Sequence, residues 1–310
     1  MKDRPPQRPP RGGQRDDRPG SDRQRDDRPR PQASGGGGRR AWRENRPAPV
    51  VLRSPPREAE HERDLLRIAG MPAVAALFAR SPQRVERLFY EERHREAVGP
   101  WAKLLAAARK PYRMVPREEL DRVAGSKHHG GIVAVARPKA IPAFDPAAAV
   151  AEAPRRRLLL FLDGIGNAHN LGAIARTAAF LGIDRIVLSS DRRQALPSDA
   201  AYRIAEGGLE YVLVQRAADL PAVLAAIAPA YLTVAAVASG GTDPLTLAAA
   251  EAGRGRPIAL VLGNEETGLA PATIEACAAK ATIAGSGALD SLNVSVAAGI
   301  LMYALRRRAA

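Results

Sequence analysis

Six short apolar runs separated by helical stretches constrain this chain more than any other feature of its sequence. The runs are Leu158–Leu162, Arg185–Leu188, Tyr211–Val214, Thr233–Val237, Ile258–Leu262 and Ala281–Ile283. Helices are predicted between or after them at Leu171–Leu181, Asp199–Glu206, Leu220–Ile227, Ala272–Ala279 and Leu292–Arg308. Continuous apolar strands that alternate with helices predict an α/β fold with a parallel sheet covered on both faces. Ligands of such sheets bind beyond the carboxyl ends of the strands. The loops that follow strands are therefore the places to search for chemistry.

The first 60 residues are a different material. They are rich in Arg, Asp, Pro, Gly and Gln, and the phrase QRDDRP occurs at Gln14–Pro19 and again at Gln24–Pro29. Such a segment cannot bury enough apolar area to offset its ordering entropy, so residues 1–60 are expected to be a disordered basic tail. It holds 16 Lys and Arg against 9 Asp and Glu, a net +7 out of +14 for the 310-residue chain. A surplus of this size points to a polyanionic partner, nucleic acid before an anionic membrane surface. The tail serves either to bind RNA or to keep the protein soluble. From residue 61 to 138, helical and strand patterns alternate in a small α/β domain. The string RPKAIPAFDPAAAVAEAPRRR has four prolines, and residues 139–155 within it are expected to be a linker. One cysteine, Cys277, rules out an internal disulfide and a Cys-rich metal site. No apolar run has the roughly 20 residues a membrane span needs, and no signal-peptide core is present. A cytoplasmic location is the expectation.

Three loops of the second domain, residues 156–310, carry unusual polar content. LDGIGNAHNLGAIAR follows the first strand, with Asn170 in N-cap position and Arg176 on the helix away from its apolar stripe. The dinucleotide pattern GxGxxG fails there, because His169 stands in place of the third glycine. LVLGNEETGL follows Ile258–Leu262, and Gly263 leaves room for a ligand against the backbone. Of the adjacent Glu265 and Glu266, one is expected to be merely solvated. SLNVSVA near the C-terminus places Ser291, Asn293 and Ser295 at the start of a helix that Ser291 would cap. That helix is apolar nearly all round, so either the domain or a second subunit must bury it. His128 and His129 read as loop residues and not as metal ligands.

NLGAIAR, LVLGNEETGL and SLNVSVA, in that order and close to the C-terminus, resemble the three motifs of the SpoU (TrmH-type) branch of the SPOUT RNA methyltransferases. The preceding domain, ending in GSKHHGGIVAVA, resembles the L30e-like substrate-binding domain of many such enzymes. The resemblance implies a deep trefoil knot in the C-terminal part of the sheet and a homodimer with the site near the subunit interface. It implies S-adenosyl-L-methionine as cofactor, held by backbone groups at Gly263, Ile283 and Leu292. The implied reaction is methylation of a ribose 2′-hydroxyl in rRNA or tRNA. Arg176 matches the arginine credited with activating that hydroxyl. A guanidinium stays protonated, so orienting the hydroxyl and holding the neighbouring phosphate suits it better than acting as a base. Asn170 and Glu265 are implied to organise the site, with Ser291 and Asn293 beside the methionine end of the cofactor. The chain departs from many relatives at Asn167-Ala168, where they have a proline. The alternative reading is a non-catalytic RNA-binding or ribosome-assembly protein that keeps the fold.

Overall fold

The computed structural model describes residues 64–155, 158–252 and 255–306. The basic tail expected over residues 1–60 lies outside them.

The first lobe is a four-stranded sheet in the order β1-β4-β2-β3, built from β1 (Leu66–Ala69), β2 (Val85–Tyr90), β3 (Tyr112–Met114) and β4 (Ile132–Ala136). β4 pairs antiparallel with β1 and β2, and β3 runs parallel to β2 at the edge. Helices α1 (Met71–Arg80), α2 (Arg95–Ala107) and α3 (Arg117–Ala124) connect the strands. Gly125 ends α3 in the left-handed conformation (φ 63°), which glycine adopts freely. β1 carries no period strong enough to be read from the sequence; its pairing with fully buried β4 creates it.

The expected linker contains structure. Asp145 caps α4 (Pro146–Glu152), its carboxylate accepting from the amides of Ala147 and Ala148, and Pro146 takes the first helical position. A proline there initiates a helix, since it has no amide to leave unpaired. The same residue read in isolation suggests a break.

The second lobe is a six-stranded sheet, order β10-β8-β9-β5-β6-β7, parallel throughout. Its strands are β5 (Leu158–Asp163), β6 (Arg185–Leu188), β7 (Leu213–Arg216), β8 (Leu232–Ala236), β9 (Ile258–Gly263) and β10 (Ala279–Ala281). Alternate residues of β5 serve opposite faces. Leu158, Leu160 and Leu162 join one core, Leu159 and Phe161 the other. The first core is covered by α5 (Ala168–Phe180) and the last helix, α11 (Val294–Leu305). The second lies under α4 and α8 (Leu220–Ile227), where the Tyr231 hydroxyl donates to the Ala149 carbonyl at 3.0 Å.

Two expected elements are displaced and one helix is new. Tyr211 does not begin a strand; it ends the short helix α7 (Gly208–Tyr211), which follows α6 (Asp199–Ala205), and β7 starts two residues later. Pro244–Ala252 forms α9, which alanine content alone did not reveal. The helix expected over Ala272–Ala279 is only α10 (Pro271–Glu275), because Ala279–Ala281 is taken by pairing with β8. Among the described residues, no helix is long and apolar enough to cross a membrane.

The two lobes are joined through a buried polar cluster. Arg84 donates from Nη1 to Oε1 of Glu210 at 2.6 Å, from Nη2 to the Tyr202 hydroxyl at 3.3 Å, and from Nε to the Arg137 carbonyl at 2.7 Å. Lys139 donates to the carbonyls of Leu209 and Glu210. Burial lowers the Lys139 pKa below that of an ordinary lysine, although Glu210 acts against this. Burial likewise pushes the Tyr202 phenol up to about 12.

Candidate active site

The carboxyl ends of β5, β9 and β10 bring the three polar loops together. β5 and β9 are neighbours at the middle of the sheet, where connections run off to opposite sides, the position at which open α/β sheets bind ligands.

The loop after β9 is a tight turn built on Asn264. Its Nδ2 donates to the Gly164 carbonyl at 2.7 Å, and its Oδ1 accepts from the amides of Glu266 and Thr267. Backbone hydrogen bonds between Asn264 and Gly268, both 3.0 Å, close the turn. Gly268 has φ 68°, which glycine adopts freely. A Cβ on Gly263 would lie 2.4 Å from the Gly268 carbonyl carbon, so only glycine fits where strand meets turn. Arg193 braces the same turn from the loop after β6, donating to Thr267 Oγ1 at 3.0 Å. Arg193 also grips Asp191, whose carboxyl is held down at about 2 by those hydrogen bonds. Asn264 and Arg193 were not among the expected site residues. An asparagine right after a buried strand is a turn signal that could have found the first; the second depends on a cross-loop contact.

The turn aims Glu265 at the first loop. Its Oε2 accepts from the Gly166 amide at 3.2 Å, and its Oε1 accepts from the Asn167 amide at 3.4 Å and from Asn170 Nδ2 at 2.7 Å. Partial burial would raise the Glu265 pKa, but hydrogen bonds from Asn170 and from backbone amides outweigh it and hold the carboxyl below its usual range. It is thus an anionic acceptor at neutral pH and a poor proton donor. Asn170, itself buried, presents Oδ1 to Asn293 Nδ2 at 3.2 Å. Asn293, Asn170 and Glu265 therefore form one hydrogen-bonded series across three loops.

Two capping assignments change. Asn167, not Asn170, caps α5, accepting from the His169 amide; Asn170 lies inside the helix and is free to face Glu265. Asn293, not Ser291, caps α11, accepting from the Ser295 amide at 2.9 Å and the Ser295 hydroxyl at 2.6 Å.

Beside this series lies a cavity of about 730 Å³. Gly263, Glu265, Glu266, Ile283, Ser291 and Leu292 all line it, with the arm from Ala284 to Asp290 along one side and Val294, Ala297 and Leu301 of α11 behind. The volume suits a cofactor-sized molecule. One of Glu265 and Glu266 was expected to be merely solvated; both line the rim, and Glu265 is the one bound to the first loop. Asn170, Asn293 and Arg176 are not part of the lining. Arg176 stands apart, its Nη2 2.9 Å from Glu206 Oε2 in a half-exposed ion pair. The structure thus joins Asn293 to Glu265 through Asn170 but does not bring Arg176 to them within one chain.

His129 is buried and its Nε2 lies 2.9 Å from Asp121 Oδ1, while Nδ1 accepts from the Gly131 amide; it ties the first lobe's loop down. Among the described residues no group of three His, Cys, Asp or Glu could hold a metal.

Residues 157–303 match the profile of the SpoU rRNA Methylase family, and residues 67–142 match that of the RNA 2′-O ribose methyltransferase substrate-binding domain. A 23S rRNA (guanosine-2′-O-)-methyltransferase RlmB of Acinetobacter baylyi is 34% identical over 243 residues, 77% of this chain and 96% of that protein. This chain belongs to the SpoU rRNA methylase family. A second SpoU relative, RlmB of Pseudomonas aeruginosa, is 32% identical over 78% of this chain and 96% of its own. The fold agrees with the crystal structure of an AdoMet-bound rRNA methyltransferase from Sinorhizobium meliloti (TM-score 0.64, 22% identity, 81% of this chain and 90% of that one). The polar series of Glu265, Asn170 and Asn293 thus lies within the SpoU methylase domain, as does the cavity beside it.

Proposed function

We propose that this protein is an S-adenosyl-L-methionine-dependent methyltransferase that modifies a ribose 2′-hydroxyl of ribosomal or transfer RNA. The observation that carries the reading is the cavity walled by the loops after β9 and β10 and flanked by the series Glu265–Asn170–Asn293. A non-catalytic RNA binder has no use for a cavity of this size or for an anionic carboxylate held by four hydrogen-bond donors from the neighbouring loop and turn.

The residues present fit the cofactor. Gly263 lines the cavity at a point where a side chain would collide with the Gly268–Leu269 backbone of the adjoining turn, and Ile283 and Leu292 offer backbone groups and apolar walls to an adenosine. When bound, the sulfonium supplies an electrophilic methyl group. What the chain must add is alignment of the RNA hydroxyl, a destination for its proton, and an anchor for the adjacent phosphate. Glu265 is committed to organising the loop after β5, since both of its oxygens already accept hydrogen bonds. Arg176 provides the cationic group for the phosphate and orients the hydroxyl. Ser291 is assigned to the reacting end of the cofactor, a role supported by its exposed position on the cavity rim. The named activity of the RlmB relatives makes large-subunit ribosomal RNA the first substrate to test.

The working form is a homodimer in this reading. Val296, Ile300 and Tyr303 recur at one face of α11 and are 52%, 42% and 52% exposed. Leu292 and Leu289 continue that apolar surface toward the cavity. The helix that the sequence makes apolar all round is covered by its own domain on one side only. A second copy is the natural cover, and it can bring an Arg176 to a cavity that Arg176 of the same chain does not line. A trefoil knot involving the segment between β9 and α11 is part of the same reading. Its support is that this segment runs out to edge strand β10 and returns to pack α11 against β9 and α5.

The test is calorimetric titration with S-adenosylmethionine, followed by methyl transfer to in vitro transcribed 23S rRNA with mapping of 2′-O-methyl marks. Wild type is expected to bind the cofactor and to leave a ribose mark; Arg176→Ala is expected to lose the mark while still binding the cofactor, and Gly263→Ala to lose cofactor binding. Failure to bind the cofactor would leave the non-catalytic RNA binder as the better reading.

A further inference from the structure

Glu206 is held in a backbone conformation that disfavours it. Its φ is 43° and ψ 44°, and among the described residues only Arg109 shares a positive φ without being glycine. In that region Cβ crowds the backbone, and glycine or asparagine is the usual occupant. Glu206 also closes α6, where the last helix carbonyls repel a carboxylate. Two local rules are broken at one residue, and strain of this kind clusters at working sites.

What the conformation achieves is contact with Arg176, 2.9 Å between Nη2 and Oε2. The turn is fixed on both sides. A Cβ on Gly207 would come within 2.7 Å of Ala76 Cβ and 3.0 Å of the Pro72 carbonyl, so the turn is pressed against α1 of the substrate-binding lobe. A Cβ on Gly208 would come within 2.7 Å of Arg176 Cα, so the turn is equally pressed against α5. The carboxylate is therefore set at a fixed place beside the arginine stem. Yet the pair is 55% and 47% exposed, which makes it weak and exchangeable. A phosphodiester offers the guanidinium a geometrically better, bidentate partner.

We propose that Glu206 is a positioning residue that holds the Arg176 guanidinium in a standby orientation, from which an RNA phosphate withdraws it. The inference rests on the reading of Arg176 as the group that orients the RNA phosphate and hydroxyl. The carboxylate competes with RNA for the same cation, so it raises the RNA KM. It also filters out RNA whose phosphate is poorly placed, because only a well-placed phosphate repays the exchange. The turn's seat on α1 places this competition next to the lobe that receives the RNA.

The experiment uses the full chain with Glu206→Gln, Glu206→Asp, Glu206→Gly and Arg176→Ala, in vitro transcribed 23S rRNA and methyl-labelled S-adenosylmethionine. Gln removes the charge at constant shape, and Gly removes it while relieving the backbone. An exposed ion pair corresponds to up to about a five-fold change in affinity. The expected result is an RNA KM lowered about three- to five-fold in the Gln and Gly variants, the KM for S-adenosylmethionine unmoved, and a wild-type RNA KM in the Asp variant. An RNA KM unchanged in both Gln and Gly, with Arg176→Ala inactive, overturns the standby role alone. A fall in kcat without a lower RNA KM in Gln also overturns it, since Glu206 would then assist the reaction. Full turnover in Arg176→Ala overturns the reading of Arg176 itself, and the standby role with it.

Discussion

Asn170 and Glu265 stand 95 residues apart in the chain, yet Asn170 Nδ2 donates to Glu265 Oε1 at 2.7 Å. The bond joins the helix after β5 to the turn after β9, two strands that lie side by side at the centre of the sheet. Asn293 extends it to the entry of the last helix. One amide therefore holds three loops in register, using its donor toward the carboxylate and its acceptor toward the second asparagine.

Asn170→Ala removes both contacts at once and leaves Glu265 with only backbone donors and the 3.4 Å contact from Asn264. A hydrogen bond to a charged group is worth about 1.5–3 kcal/mol. A fall of roughly ten- to a hundred-fold in kcat/KM for RNA is expected. Because Asn170 does not line the cavity, calorimetry should find cofactor affinity changed much less. Equal losses in both would mean that the series supports the cavity wall instead of the reacting geometry.

The depressed pKa of Glu265 fixes the sign of a pH effect. A carboxyl bound more tightly as its anion in the folded state adds stability above its unfolded pKa. It loses that contribution as the pH falls through the lower, folded value. Urea denaturation of wild type and Glu265→Gln should thus differ at neutral pH and converge on acidification, below the usual carboxylate range. A difference that grows in acid would refute the assignment.

Gly263→Ala adds a methyl group where the nearest backbone atom is 2.4 Å away. The Gly268 backbone must shift, at about 1–3 kcal/mol for overpacking of this kind. Thermal melting should register the loss, and cofactor titration should lose measurable heat because the displaced turn forms the cavity wall. Wild-type affinity in this variant would place the cofactor elsewhere.

Ile300→Glu puts a charge at the middle of the exposed α11 stripe. Light scattering should report a dimer for the parent and a monomer for the variant, with the circular dichroism of both alike, since Ile300 is not in the domain's own core. A variant that stays dimeric would move the interface to another face.

Glu210→Ala breaks the buried pair with Arg84 and strands a guanidinium between the lobes. Loss of one partner of a buried pair costs about 3–5 kcal/mol. Glu210→Gln, which keeps an acceptor for Arg84, should lose less. Chemical denaturation distinguishes the two; equal stability of both variants and wild type would show that the cluster does not hold the lobes together.

The sequence by itself determined the layered α/β architecture, because six apolar runs with helices between them leave few ways to bury their surface. It also marked the three loops, since glycine and amide residues directly after apolar strands are hard to account for in any other way. It misplaced whatever depends on a neighbour. Ala279–Ala281 is a strand because β8 offers a free edge, and Tyr211 is helical because α7 packs beneath α5 and α1. The caps slid by two or three residues, from Asn170 to Asn167 and from Ser291 to Asn293, because a cap is chosen by chain direction on entry, and short-range composition offers several polar candidates. Only the tertiary structure could decide that Asn170 faces Glu265, that Arg176 pairs with Glu206 outside the cavity, and that the chain's own domain leaves one face of the last helix uncovered. Each of these is a contact between residues brought together by the order of strands in the sheet, and periodicity along one chain carries no record of that order.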